Sequence, residues 1–273
     1  MSVNVTTAAI EQFRSLVHMQ FQGQQMLANT TNESQNLLGD SFQIPIMQRA
    51  MAKLRTGSAT DVVPVNTDYS VATLSPLKYD YADYVDEFDQ RLVNFDEENY
   101  LVKNAAYALG RRLDQIKIDA LYASGTSNTV AVTTAGIGVT GDDAEILNAT
   151  KLKAASKHMT ANGVPPGDRY LAINAEGLYQ LMADEEVTNS DYNTLRVLMS
   201  GQMDSYMGFN VIVIPDNEEG GLPSTTVSSE TIRHAFAWDK NSMATGFYFD
   251  DMRTNIDWVA QKSSYLVNSR IRS

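Results

Sequence analysis

The residues that could do chemistry are few and scattered. The chain has three histidines, His18, His158 and His234, and no cysteine. No two histidines stand at a spacing that sets imidazoles side by side on a helix. A zinc site or a catalytic triad would need them to converge from distant segments, and each reads as a structural or surface histidine. Without cysteine there is no disulfide, thiolate nucleophile or iron–sulfur ligation by this chain. Carboxylates come in doublets: Asp142–Asp143, Glu185–Glu186, Glu218–Glu219 and Asp250–Asp251. Paired carboxylates can hydrolyse glycosides or hold a hard divalent cation. None of these sits in an EF-hand frame, although the turn-like "DNEEGG" (216–221) could bind calcium weakly. "GIGVTG" (136–141) contains a G-x-G but does not open a helix after a strand, as a nucleotide loop requires. Neither a G-x-x-x-x-G-K-[ST] loop nor a G-x-S-x-G elbow is present. The pattern nominates no catalytic residue, metal ligand or cofactor.

With chemistry so sparse, the elements themselves carry the information. The chain has 273 residues, 43% apolar and 20% charged, which are ordinary values for a globular protein large enough to bury a core. No apolar run of about 18 residues marks a membrane span. The N-terminal "MSVNVTTAAIEQF" has neither the basic nor the apolar region of a secretory signal. Residues 7–27 predict an amphipathic helix with Ile10, Phe13, Val17 and Phe21 on one side. "ANTTNESQNLLGDS" (28–41) predicts a flexible connector. Residues 42–93 carry weak helix signals near 46–54, turns at "TGSATD" and "VNTDYS", and strand-like runs at Val62–Val65, Val71–Leu74 and Lys78–Val85. An excursion this polar buries little of itself, so it predicts an extended hairpin that lies on an adjacent subunit.

A rod follows. Asp96 is placed to cap it, and Glu97 and Glu98 suit the first turn of a helix. Val102, Ala106, Leu109, Leu113, Ile116, Ala120 and Ala123 recur as one stripe, and Gly125 is a plausible stop. Residues 97–123 would span about 40 Å, more than twice the usual helix. Gly110 within it predicts a bend or a close backbone approach. Further on come a hairpin over 127–143, a helix over 144–163 ending at Asn162–Gly163, and a strand at "RYLAIN" (169–174). A short helix at "AEGLYQLMADEEV" and a strand at "FNVIVIP" (209–215) follow. Three strand-like runs close the chain, with Trp238 and Trp258 in the core. This order is α+β.

The net charge is −12. Residues 61–100 and 161–225 each carry a net −8, leaving +4 elsewhere. Such a chain repels a phosphate backbone. The acidic stretches are solvated faces, or they meet basic segments across subunit contacts.

The order and spacing of three stretches resemble the major capsid proteins of tailed bacteriophages, over nearly the whole chain. They are "YADYVDEFDQRLVNFDEENYLVKNAAYALGRRLDQIKIDALYASG" (81–125), "RYLAINAEGLYQLMADEEV" (169–187) with "MGFNVIVIP" (207–215), and "AFAWDKNSMATGFYFDDMRTNIDWVAQKSSYLVNSRIRS" (235–273). This capsid fold is shared by tailed phages, the herpesvirus capsid floor and encapsulins. The resemblance implies an N-terminal arm (1–40), an extended loop (41–84), and a peripheral domain (85–162) with its spine helix at 97–123. An axial domain (163–225) and closing strands of the peripheral domain (226–273) complete it.

The resemblance further implies a structural, non-enzymatic protein of the virion capsid. It would self-assemble in the host cytoplasm into pentamers and hexamers of an icosahedral shell around double-stranded DNA. Portal, scaffolding and decoration proteins are the expected partners, with no sequence-specific DNA binding and no membrane. A scaffold would be a separate protein, because the chain has no room for a cleaved scaffolding segment, and no isopeptide cross-link is expected. Arg49, Lys53 and Arg55 are expected to pair with Asp86, Glu87 and Asp89 of a neighbouring subunit. The alternatives are an encapsulin-like compartment shell, a carboxylate-dependent hydrolase and a ligand-binding protein.

Overall fold

The computed structural model describes residues 24–34, 41–58, 61–62, 64–87, 97–124, 147–183, 205–227, 230–246, 248 and 253–272. Several sequence expectations fall outside them: the helix over residues 7–23, the hairpin over 127–143, Asp89, Asp96, Gly125 and His18. So do three acidic doublets, at 142–143, 185–186 and 250–251.

Two sheets and one long helix organise the described chain. The first sheet is antiparallel and has the order β12–β13–β4, formed by β4 (Lys78–Asp86), β12 (Arg253–Val259) and β13 (Ser264–Arg272). Alternate residues on one of its faces, Val85, Val267 and Ile271, are buried, as the two-residue period of a strand demands. Helix α1 (Glu97–Ser124) lies on that face. Leu109 and Leu113 of α1 meet Ile271 and Tyr79 there. Asn104 donates to the Tyr79 neighbour two residues on, the Tyr81 hydroxyl, at 3.1 Å.

The second sheet has the order β10–β5–β7–β6, formed by β5 (Arg169–Ile173), β6 (Ser205–Tyr206), β7 (Phe209–Val213) and β10 (Phe236–Asp239). Strands β5 and β7 run parallel, and β10 is antiparallel to β5. One face, with Leu171, Ile173 and Phe209, is covered by α2 (Ala149–Ala161) and α3 (Ala175–Ala183) through Leu152 and Leu181. The opposite face, with Ala172 and Trp238, packs against Ile118 and Leu121 near the end of α1.

The length of α1 is explained by these two packings. Its 28 residues, about 42 Å of helix, carry one sheet along the middle and the other near the C-terminus. A helix of average length would reach only one of them.

The face that α1 buries differs from the expected stripe. Ala106, Ala120 and Ala123 are exposed, whereas Ala105, Leu113, Asp114, Lys117, Ile118 and Leu121 are buried. Apolarity alone misplaced the stripe because two of the buried positions carry charges.

Local chemistry fixes the shorter elements. The Asn148 side chain caps α2 by accepting from Lys151 N–H at 2.9 Å. The expected stop at Asn162–Gly163 is present: Gly163 has φ +80° and its N–H reaches Thr160 O at 3.0 Å. Arg169 opens β5 fully buried and donates to Pro165 O, Val164 O and the Thr160 hydroxyl, so its charge sits at the C-terminal end of α2.

Around 41–77 the chain is not helical. The weak helix signal at 46–54 is overturned by β2 (Phe42–Met47) and the non-helical residues 48–56. Among the described residues the helix-favouring "MQRAMAKL" has no apolar surface to pack on, and propensity alone does not hold a short helix in water. Strand β2 pairs antiparallel with β3 (Tyr69–Leu74), while residues 61–62, 64 and 65 belong to no strand. The run at 78–85, read with the loop, joins the first sheet through β13. A second hairpin pairs β8 (Ser224–Val227) with β9 (Glu230–Arg233). Strand β1 (Asn32–Ser34) runs parallel to β11 (Ala244–Gly246).

Candidate subunit interface

Two segments depart from the body, and their side chains meet opposite fates. The first is residues 24–34. Sequence reading makes this stretch part helix and part flexible connector; the structure shows a non-helical segment held against α1. Leu27, Thr30 and Thr31 are buried. The Asp114 carboxylate accepts from the Met26 and Leu27 N–H groups at 2.6 and 3.2 Å. Lys117 Nζ donates to Leu27 O at 2.8 Å and to Glu33 Oε1 at 3.0 Å. Trp238 Nε1 donates to Thr30 O at 3.0 Å, and the Thr31 and Thr245 hydroxyls are 3.0 Å apart. The close approach expected at Gly110 is found here, since a Cβ at that position would stand 3.3 Å from Gln25 Cβ.

The two buried charges are matched to backbone groups that a coil segment leaves unpaired. Burial pushes the Asp114 carboxyl above its ordinary 3.8, against the opposing pull of the Met26 and Leu27 N–H groups and of Lys117. A carboxylate and an ammonium one helical turn apart on α1 therefore grip donor and acceptor of the same strap.

The second segment is the hairpin β2–β3 and the loop between its strands. Within the described residues, its strands pair only with each other. No residue of β2 or β3 is buried. Met51, Leu54 and Val62 are 81, 90 and 81% exposed, and Ile46, Met47, Tyr69 and Val71 are also exposed. So many exposed apolar side chains on one projecting segment are unusual for a soluble monomer. Pro45 in β2 removes a donor, which suits a strand at an edge.

Arg49, Lys53 and Arg55 lie on the exposed stretch after β2. Asp86 ends β4 opposite Ser264, with Glu87 next to it, and both are half-buried. The two groups thus stand on separate parts of the subunit, the basic one on the projecting loop and the acidic one on the body.

Among the described residues, His158, His234, Asp216, Glu219 and Gly220 are engaged in structural contacts. His158 Nδ1 lies 3.2 Å from the Asn162 amide nitrogen, and His234 Nε2 lies 2.7 Å from the Thr225 hydroxyl. In "DNEEGG", Asp216 pairs with Arg233 at 2.7 Å, and Glu219 stands 4.0 Å from Arg112. Gly220, at φ +79°, donates to Gln115 Oε1 at 2.9 Å and packs directly on the α1 backbone at Arg111. This loop is a strap across α1. Among the described residues no three His, Asp or Glu side chains converge on a common point. Trp238 is core, as expected, but Trp258 is 45% exposed, stacked edge-on against Tyr265.

A helix clasped by two sheets, with an anchored strap and an apolar loop left uncovered, defines a building-block protein. Residues 5–272 match the model of the family described as phage capsid protein, and the chain belongs to that family. It is a structural major capsid protein with the tailed-phage capsid fold. Solved structures agree on the fold. The capsid structure of the cyanophage P-SCSP1u is 17% identical, with a TM-score of 0.72, covering 100% of this chain and 90% of that one. A chain from Mycobacterium phage Che8 is 16% identical, with a TM-score of 0.70 and coverages of 96 and 90%. A chain from the mature capsid of bacteriophage PhiM1 is 13% identical, with a TM-score of 0.67 and coverages of 97 and 87%. No curated protein sequence matches this one.

Proposed function

We propose that this chain assembles in the host cytoplasm into pentamers and hexamers of an icosahedral shell that encloses double-stranded DNA. It works by geometry and catalyses nothing. The observation that carries this reading is the loop between β2 and β3, whose Met51, Leu54 and Val62 find no cover among the described residues. A neighbouring copy supplies that cover, and rotational symmetry repeats the contact around each ring. Residues 1–40 then act as the arm and 41–77 as the extended loop, while 78–84 join the peripheral domain of 85–162 and 226–273 through β13, and 163–225 act as the axial domain. Arg49, Lys53 and Arg55 set the register of the loop by pairing with Asp86, Glu87 and Asp89 of the neighbour. Exposed pairs of this kind contribute only about 0–1 kcal/mol each, so apolar burial supplies most of the stability. Portal, scaffolding and decoration proteins join the shell at their own contacts. The net charge of −12 keeps the wall from gripping DNA that must later leave.

Light scattering and electron microscopy of the purified chain test the proposal. Megadalton particles or capsomer rings are the expected result. A 30 kDa monomer under all conditions, with or without scaffold, overturns it.

A further inference from the structure

The first sheet has a second face, turned away from α1, and at one end of it lies an open cleft of about 260 Å³. Lys78, Asp80, Arg270, Ile271 and Arg272 line it. Strand register explains the gathering: Lys78 is opposite Arg272 and Asp80 is opposite Arg270, so the four charged residues share one face. The Arg272 guanidinium is held over the Tyr248 ring at 4.3 Å. Asp80 and Arg270 face each other, yet they form no ion pair, and the Lys78, Asp80 and Arg270 side chains make no hydrogen bond among the described residues. Lys78 and Arg270 against Asp80 give the cleft a surplus of positive charge in a chain whose net charge is −12.

The cleft stands where β3 hands over to β4, at the foot of the extended loop. We propose that it receives a carboxylate from the extended loop of a second copy of this chain, with Asp61 and Asp68 as the donors. This rests on the shell reading given above. Both aspartates are exposed and neither is engaged by a described side chain. A copy with such an acidic surface meets its neighbour against general repulsion, and a positive cleft opposite an acidic loop offsets that repulsion locally and fixes register. The contact is separate from that of Arg49, Lys53 and Arg55, because here the body carries the cations and the loop the carboxylates. Duplex phosphate is the competing anion.

The test is a charge swap in the full chain. K78E with R270E should cut shell yield at least tenfold by light scattering, with an unchanged melting temperature because both residues are on the surface. Adding D61K and D68K should restore most of the yield. The neutral pair K78M and R270M should give an intermediate loss that grows less marked in high salt. Wild-type yield from the reversed variant overturns the proposal, and if those shells then retain less DNA the cleft belongs to phosphate. Failure of D61K and D68K to rescue overturns the loop assignment. If the unaltered chain forms no particles, the shell reading itself fails and takes this proposal with it.

Discussion

The strap at 24–34 and the hairpin β2–β3 are both departures from the body, and both lack a helix. They differ in where their burial comes from. The strap closes its account within the subunit: Leu27 has no exposure, and its backbone groups are met by Asp114 and Lys117. The hairpin has its ladder and little else, with Leu54 almost as exposed as in an unfolded chain. A segment anchored by its own subunit contributes to folding, whereas one anchored elsewhere contributes to assembly. The two should therefore separate cleanly under mutation.

The largest effect is expected from removing residues 56–70. Shell formation should be lost, while the melting temperature of the subunit moves little; normal particles by electron microscopy would erase the distinction between the segments. Next is D114A or K117A: the first leaves the Met26 and Leu27 N–H groups without their acceptor, the second leaves Leu27 O and Glu33 without their donor. A loss of about 1–3 kcal/mol is expected in denaturant unfolding, with residues 24–34 becoming cleavable in limited proteolysis. Continued protection would show that Trp238 and Thr245 hold the strap unaided. Third, M51S with L54S should leave unfolding unchanged within about 0.5 kcal/mol, as surface changes do, and still weaken assembly.

Smaller still is the pH effect at Asp114. Its carboxyl is raised in the folded chain, so it binds protons more readily there than when unfolded, and its contribution to stability falls as pH rises through that window. On acidification from neutral pH toward 3.8, wild type should gain relative to D114N. A difference running the other way would mean that the backbone bonds and Lys117 outweigh burial. The smallest change is expected for G110A. Alanine gains about 1 kcal/mol of helix propensity, but its methyl group meets Gln25 at 3.3 Å, and proteolysis of the strap should increase while overall stability barely changes.

Much of the body was legible from its residues. The end of α2 was written in Asn162–Gly163, β5 and β7 in short apolar runs, and the great length of α1 in its unbroken periodicity. Gly110 signalled a close approach, though not with what. The missing information was of one physical kind. Asp114 and Lys117 read as solvent-facing because a charge is normally exposed. Their burial depends on backbone groups nearly ninety positions away, and no local pattern encodes that. The helix signal near 46–54 misled for the converse reason: good helix formers need a surface to pack on, and this segment has none among the described residues. The basic cleft was equally hidden, since Lys78 and Arg272 lie far apart in the sequence and only strand register makes them neighbours.

The two-sheet grip on α1 has a mechanical consequence. Between Asn104, tied to one sheet, and Leu121, packed on the other, run roughly 26 Å of continuous helix. A swing of about 5° at the first hold displaces the second by about 2 Å at that rise per residue. The rod thus transmits tilt from one half of the tile to the other instead of absorbing it. In the proposed shell, where identical tiles meet at unlike curvatures, the accommodation falls to the hairpin, which its own subunit holds least.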